Sequence, residues 1–210
     1  MSAPDIAPQI TVASPGDREP VVRTLVAAFT HDPVLRFLFP ADRDYPDHAA
    51  AFFGHLFDKR VERSSIWTIA GGASVAVWEP PVGSTAAAGT AAAGTALQSL
   101  PADALARVQA YDDAVHAALP TPPFWYLGVL GTHPDRAGRR WGRALLRTGL
   151  ERAAADGLPA VLETSNPVNV EVYRRAGFQV IGHRARPFPF WVMEHPAAVS
   201  EPTGAAATGA

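Results

Sequence analysis

An α/β fold with a parallel step in the middle of its sheet is the class this sequence predicts, on three observations. Between Phe124 and Gly182, short apolar runs alternate with helical periodicity in the order strand, helix, strand, helix, strand, and strands joined through a helix pair in parallel. Upstream, Ser65–Ala70 and Ala73–Glu79 flank a Gly71-Gly72 turn, the pattern of a hairpin. The chain has 210 residues, 48% hydrophobic and 18% charged, which is enough for one sizeable core.

The folded part is expected over 10–194, between tails 1–9 and 195–210 whose small, Pro/Gly-punctuated composition buries too little to offset ordering entropy. Asp17–Phe29 reads as a helix, with Ser14 or Asp17 to cap it and Val22, Leu25, Val26 and Phe29 at helical spacing up to Pro33. Pro46–Val61 reads as a second, with a stripe of Phe52, Phe53, Leu56 and Phe57. The Ala/Gly/Thr-biased tract 82–96 is expected to be a flexible surface loop inside one domain. Ala102–Leu119 again has helical spacing, through Leu105, Val108, Tyr111, Val115 and Leu119.

From Phe124 to Gly131 a nearly continuous apolar run predicts a strand covered on both faces. A helix starting at Trp141 follows, burying Gly142, Leu145, Leu146, Gly149, Leu150 and Ala153 and ending at Gly157 and Pro159. Ala160–Thr164 is a strand. Ser165-Asn166-Pro167 starts a helix that runs to Ala176, and Phe178–Gly182 returns as a strand after Gly177.

Composition excludes several functions. With 18 Lys plus Arg against 20 Asp plus Glu, the formal charge of -2 gives no whole-chain attraction to nucleic acid or to an anionic membrane. The absence of cysteine removes disulfides, thiolate catalysis and cysteine-ligated zinc, and the seven histidines have no HxxxH or HxH spacing, so no metal site is expected. No stretch has the length of a membrane span and the N-terminus has no basic-then-apolar leader, so a cytoplasmic protein is expected, as monomer or homodimer.

The chemistry concentrates at one strand-turn-helix unit. Gly138 and Gly142 flank a helix start, where free N–H groups and the positive end of the dipole attract anions. Arg136, Arg139, Arg140 and Arg143 crowd the same turn, and guanidinium forks match phosphate oxygens. A solvated helix start with surface arginines is the alternative, and neither a Walker A nor a GxGxxG pattern is present. On the next helix, Asn169 and Tyr173 are one turn apart on one face.

HPDRAGRRWGRALL, followed at a set distance by LETSNPVNVEVYRRAGF, resembles the GCN5-related N-acetyltransferase (GNAT) family over roughly 10–194. VRTLVAAF, ASVAVWEPP and LETSNPVN look especially like puromycin N-acetyltransferase and its relatives. The resemblance implies a central mixed, largely antiparallel twisted sheet with a splayed parallel strand pair and helices on both faces. It implies acetyl-CoA as co-substrate, held by backbone groups of Leu130, Gly131 and Thr132 at its acetyl and pantetheine parts. The turn Gly138, Arg139, Arg140, Gly142 and Arg143 would hold the pyrophosphate, with Asn169 beside the CoA arm and Tyr173 as the acid that protonates the departing thiolate. The chain departs from the family at Ala137, where Gln or Arg is common, and at Arg140, where Gly is common.

Acyl transfer to an amine also needs a neutral amine. Since Phe124–Gly131 has no carboxylate or His, candidates for the base are Glu163, Glu79, His133 or solvent, with Glu163 foremost and a structural role for it equally open. Tyr173 has a core-aromatic alternative and Asn169 a helix-capping one. Phe29 and Asp32, with Phe37 and Phe39, match a segment that borders the acceptor pocket in the family, against a structural staple under a loop. The function expected is transfer of acetyl from acetyl-CoA to a primary amine of a small, antibiotic-like molecule. A protein or peptide acceptor, or a non-catalytic CoA-sensing or polyanion-binding module, are the alternatives.

Overall fold

The computed structural model describes residues 8–81 and 97–197. Most of the two expected tails and the whole 82–96 tract lie outside these.

Among the described residues seven strands form one sheet in the order β1-β2-β3-β4-β5-β7-β6. They are β1 (Ile10–Val12), β2 (Ile66–Ile69), β3 (Ser74–Glu79), β4 (Trp125–Thr132), β5 (Ala160–Thr164), β6 (Gln179–Arg184) and β7 (Phe190–His195). Every neighbouring pair is antiparallel except β4 and β5, which are parallel and joined through a helix. This is the mixed sheet with a parallel step that the sequence predicts. β7 was not anticipated; it lies between β5 and β6 and extends through His195, one residue past the expected end of the fold.

Among the described residues six α-helices cover the sheet. They are α1 (Arg18–Ala28), α2 (Pro33–Leu38), α3 (Tyr45–Asp58), α4 (Ala102–His116), α5 (Trp141–Ala155) and α6 (Pro167–Arg175). The chain enters α1 through a 3-10 turn, Pro15–Asp17, held by the Ser14 N–H and hydroxyl, which both donate to Asp17 Oδ2 at 2.8 Å. Pro33 does not merely end the first helix: it occupies the first turn of α2, where its missing N–H is harmless, with Asp32 as the cap. One face of the sheet buries Leu25, Phe53, Phe57, Val75 and Val129 under α1, α3 and α4. The other buries Trp78, Trp125, Leu145, Leu162 and Phe178 under α5 and α6.

β4 positions the functional region. It pairs with β5 only at Trp125↔Ala160, Tyr126↔Val161 and Leu127↔Leu162, although both strands continue beyond. On its other edge, β4 stays paired with β3 to Thr132, but the register shifts because Leu127 opposes Trp78 while Val129 opposes Val77. Gly128 is therefore an extra residue, a β-bulge, at the point where β4 leaves β5. A bulge bends its strand, and here it opens a gap between β4 and β5.

Candidate active site

The backbone of β4 alternates between its neighbours. His133 donates its N–H to the Ala73 carbonyl at 2.9 Å, so Gly131 is turned to β3 as well, and Ser74 Oγ donates to its carbonyl at 3.4 Å. By the same alternation, Leu130 and Thr132 direct N–H and C=O into the gap. Gly131 is a glycine for a different reason: an added Cβ would lie 2.9 Å from Leu25 Cδ2 and 3.0 Å from Phe29 Cε2. Phe29 is thereby placed over β4, tilted against Phe53 at 5.3 Å.

At the C-terminal end of β4 the chain makes a 3-10 turn whose first N–H groups are met by His133 Nδ1, which accepts from Asp135 at 3.3 Å. Beyond it, Gly138 has φ +79° and Arg140 has φ +60°, and α5 begins. The left-handed region favours glycine, and at 140 an arginine occupies it. The N–H groups from Gly138 to Arg143 have no partner among the described residues, and no ion pair there engages the four arginines, although Arg139 lies over the Trp141 ring at 5.4 Å. A Cβ at Gly142 would meet only Thr132 Oγ1, at 3.7 Å. Unpaired donors, positive charge and room for a close approach fit a pyrophosphate.

On α6 the cap is Asn166, whose Oδ1 accepts from Val168 N–H at 3.0 Å. Asn169 is thus released from capping, and its side chain has no hydrogen-bond partner among the described residues. Tyr173, one turn on, stacks edge-on to Phe178 at 5.7 Å. Burial, reinforced by the negative fields of Glu163 and Asp32, pushes its phenol well above the usual value, so it holds its proton at neutral pH.

Glu163 lies on β5 facing the other side of the gap. Its Oε2 accepts from the Tyr126 hydroxyl, which comes from β4 one pleat earlier. Burial raises the Glu163 carboxyl to about 7 even though the Tyr126 bond and the Arg60 charge favour the anion. The other proposed bases are differently placed. Glu79 is paired with Arg60 at 2.7 Å and Arg63 at 3.5 Å; burial acts to raise it, but these charges and Lys59 outweigh burial and hold it low. His133 is spent on its turn.

Asp32 caps α2, with Oδ1 accepting from Val34 at 2.9 Å and Leu35 at 3.1 Å. Its Oδ2 has no hydrogen-bond partner among the described residues, and burial raises the carboxyl against those two bonds. The negative fields of Glu163 and Asp32 add to burial in raising both Tyr173 and Tyr111. Phe29 and Asp32 do not line the cavity of about 400 Å³ beside Glu163. It opens instead between α3, α4 and β4, with Leu56, Val108, Tyr111, Tyr126, Gly128 and Glu163 in its wall.

The sequence reading missed Tyr126 and Gly128. Tyr126 carries no charge in a run judged by its apolarity, and its meeting with Glu163 depends on inter-strand register. Gly128 did leave a signal, since a glycine inside a strand marks a bulge or a close approach.

The model of the Acetyltransferase (GNAT) family matches residues 89–178. A mycothiol acetyltransferase of Clavibacter michiganensis is 48% identical over 54 residues, 24% of this chain and 18% of that protein. The N-alpha-acetyltransferase RimI of Mycobacterium tuberculosis is 39% identical over 67 residues, 31% of this chain and 42% of that protein. The chain thus spans less than half the length of these relatives. Among solved structures, a histone acetyltransferase HPA2 and related acetyltransferase from Corynebacterium glutamicum superposes with a TM-score of 0.62 and 24% identity, over 95% of this chain and 100% of that one. That likeness is one of fold, and it agrees with the family match.

Proposed function

We propose that the chain is a GNAT-family N-acetyltransferase that moves the acetyl group of acetyl-CoA to a primary amine of a small molecule. The observation that carries this reading is the gap between β4 and β5. The anion cradle at 138–143 and Tyr173 lie towards its α5/α6 side, and Glu163 with the cavity lies on the opposite side. Donor and acceptor reach the gap from opposite faces.

In this reading the backbone donors of Gly138 to Arg143 and the guanidiniums of Arg139, Arg140 and Arg143 hold the pyrophosphate. Leu130 and Thr132 hold the pantetheine and acetyl parts through the backbone, with Gly131 supplying the close approach of α1, and Asn169 flanks the arm. Bound acetyl-CoA supplies an activated thioester carbonyl. The N–H of Leu130 faces that carbonyl and steadies the charge that develops on its oxygen. Glu163, titrating near 7, takes the ammonium proton at Oε1 while Tyr126 holds Oε2. Once Glu163 is neutral, one of the two negative fields on Tyr173 is gone, which makes Tyr173 a stronger acid when the thiolate leaves. Phe29, packed over β4, and Asp32, through its uncommitted Oδ2, are further candidates to border the amine from outside the cavity wall.

A cavity of about 400 Å³ favours a small acceptor over a protein terminus, and the puromycin-acetyltransferase-like segments point the same way. The test is release of thiol from acetyl-CoA by the purified chain across a panel of primary amines. Turnover with a small amine, lost in Tyr173→Phe by about 10²-fold with unchanged melting temperature, supports the reading. No turnover with any amine or peptide, or unchanged CoA affinity in a folded Gly142→Glu variant by calorimetry, overturns it.

A further inference from the structure

β3 and β4 are antiparallel neighbours, and such a pair is closed by a turn of a few residues. This chain instead leaves the sheet after Glu79 and returns at Trp125, and the excursion carries α4. α4 is not a surface ornament. Its Leu105, Val108, Tyr111 and Val115 line the cavity together with Leu38, Phe52 and Leu56 and with Glu163 and Tyr126 of the sheet. Tyr111 also stacks edge-on to Phe190 at 5.7 Å, fixing the wall to β7.

The charges in that wall are unevenly available. Glu79 is neutralised by Arg60 and Arg63. Asp112, on α4, has a side chain 61% exposed and stands in water at the cavity rim. Glu163 is therefore the inner carboxylate without a cationic partner in hydrogen-bond contact, and the rest of the inner surface is mostly apolar. A polyamine or an aminosugar would bring several ammonium groups to a chamber with one place for them, whereas one ammonium on an apolar body meets a partner at each end.

Resting on the acetyltransferase reading, we propose that α4 is the specificity wall of the acceptor site and that the acceptor is a lipophilic monoamine. Its ammonium meets Glu163 and its aromatic or branched alkyl body packs on Leu105, Val108 and Val115. Side chains on this wall, more than those of the Phe29–Phe39 segment, set the size of amine accepted.

The experiment compares ethylamine, isoamylamine, phenethylamine, spermidine and a short peptide as acceptors for the full chain, by turnover and separately by calorimetric binding. The specificity constant is expected to rise at least tenfold from ethylamine to phenethylamine. Leu105 is 37% exposed at the cavity rim, so Leu105→Trp keeps the fold while narrowing the entrance. That variant should lower the phenethylamine-to-ethylamine ratio at least tenfold with an unchanged acetyl-CoA KM. Val108→Ala, which enlarges the chamber, should shift preference towards larger amines. Flat dependence on amine size, preference for spermidine or peptide, or a ratio unmoved by both variants overturns the proposal. Phenethylamine binding without turnover sinks the acetyltransferase reading while keeping the chamber; absence of binding sinks the chamber.

Discussion

Glu163 holds a proton at pH values where an ordinary glutamate has lost it, and this links activity to stability. The folded carboxyl titrates near 7 and the unfolded one near 4.5, so between these values the folded chain binds more protons. The contribution to stability is fully present below about 4.5 and is lost as pH rises through about 7, on the order of 3 kcal/mol in all. Glu163→Gln should flatten that decline, so that the variant gains on the wild type between pH 5 and pH 8 in urea melts, while turnover drops by about 10²-fold or more. Asp32→Asn tests a different point. Asparagine caps a helix as well as aspartate does, so stability should change by less than about 0.5 kcal/mol, and a raised acceptor KM would then report the lost charge alone. At this scale the sequence disclosed residues whose chemistry is local. Asp32 stands before Pro33, at a helix cap, and the Gly138–Arg143 turn is contiguous, so both can be proposed from sequence alone. Tyr126 cannot, because its role exists only through a partner 37 residues away.

The elements were legible in proportion to their periodicity. α1, α3, α4, α5 and α6 each present a repeating apolar face, and the β2–β3 hairpin carries its Gly-Gly turn. β1 has three residues, and β7 follows a stretch broken by Pro187 and Pro189, so neither has a pattern long enough to register. What orders β7 is its ladder with β5 and β6, a long-range pairing that no local window contains. Packing between elements makes a sharp prediction at Gly149. A Cβ there would fall within the indole of Trp78, which is fully buried between α5 and the sheet. Gly149→Ala should destabilise the protein by about 1–3 kcal/mol in denaturant titrations, more than an alanine on an exposed helix face ever does. Arg140→Gly acts in the opposite sense. It relieves a left-handed residue at the mouth of α5 and should add up to about 1 kcal/mol to stability, read as a higher melting temperature.

For the molecule as a whole, the three residue pairs between β4 and β5 are a seam. On one side β1 to β4 carry α5; on the other, β5, β7 and β6 carry α6. Beneath the seam α4 crosses from one half to the other, with Val108 in the core of the first and Val115 packed on Val161, Phe190 and Val192 of the second. Two halves joined by three residue pairs and by the shared core of Trp125, Leu145, Leu162 and Phe178 can still part at a free energy smaller than that of complete unfolding. Amide hydrogen exchange should therefore resolve two populations, with the amides of β5, β6 and β7 exchanging sooner than those shared by β3 and β4. A ligand lying along the gap grips both halves at once, so saturating acyl-CoA should slow the faster population towards the slower one. Identical exchange in both halves, with and without CoA, would mean that the sheet behaves as one rigid plate.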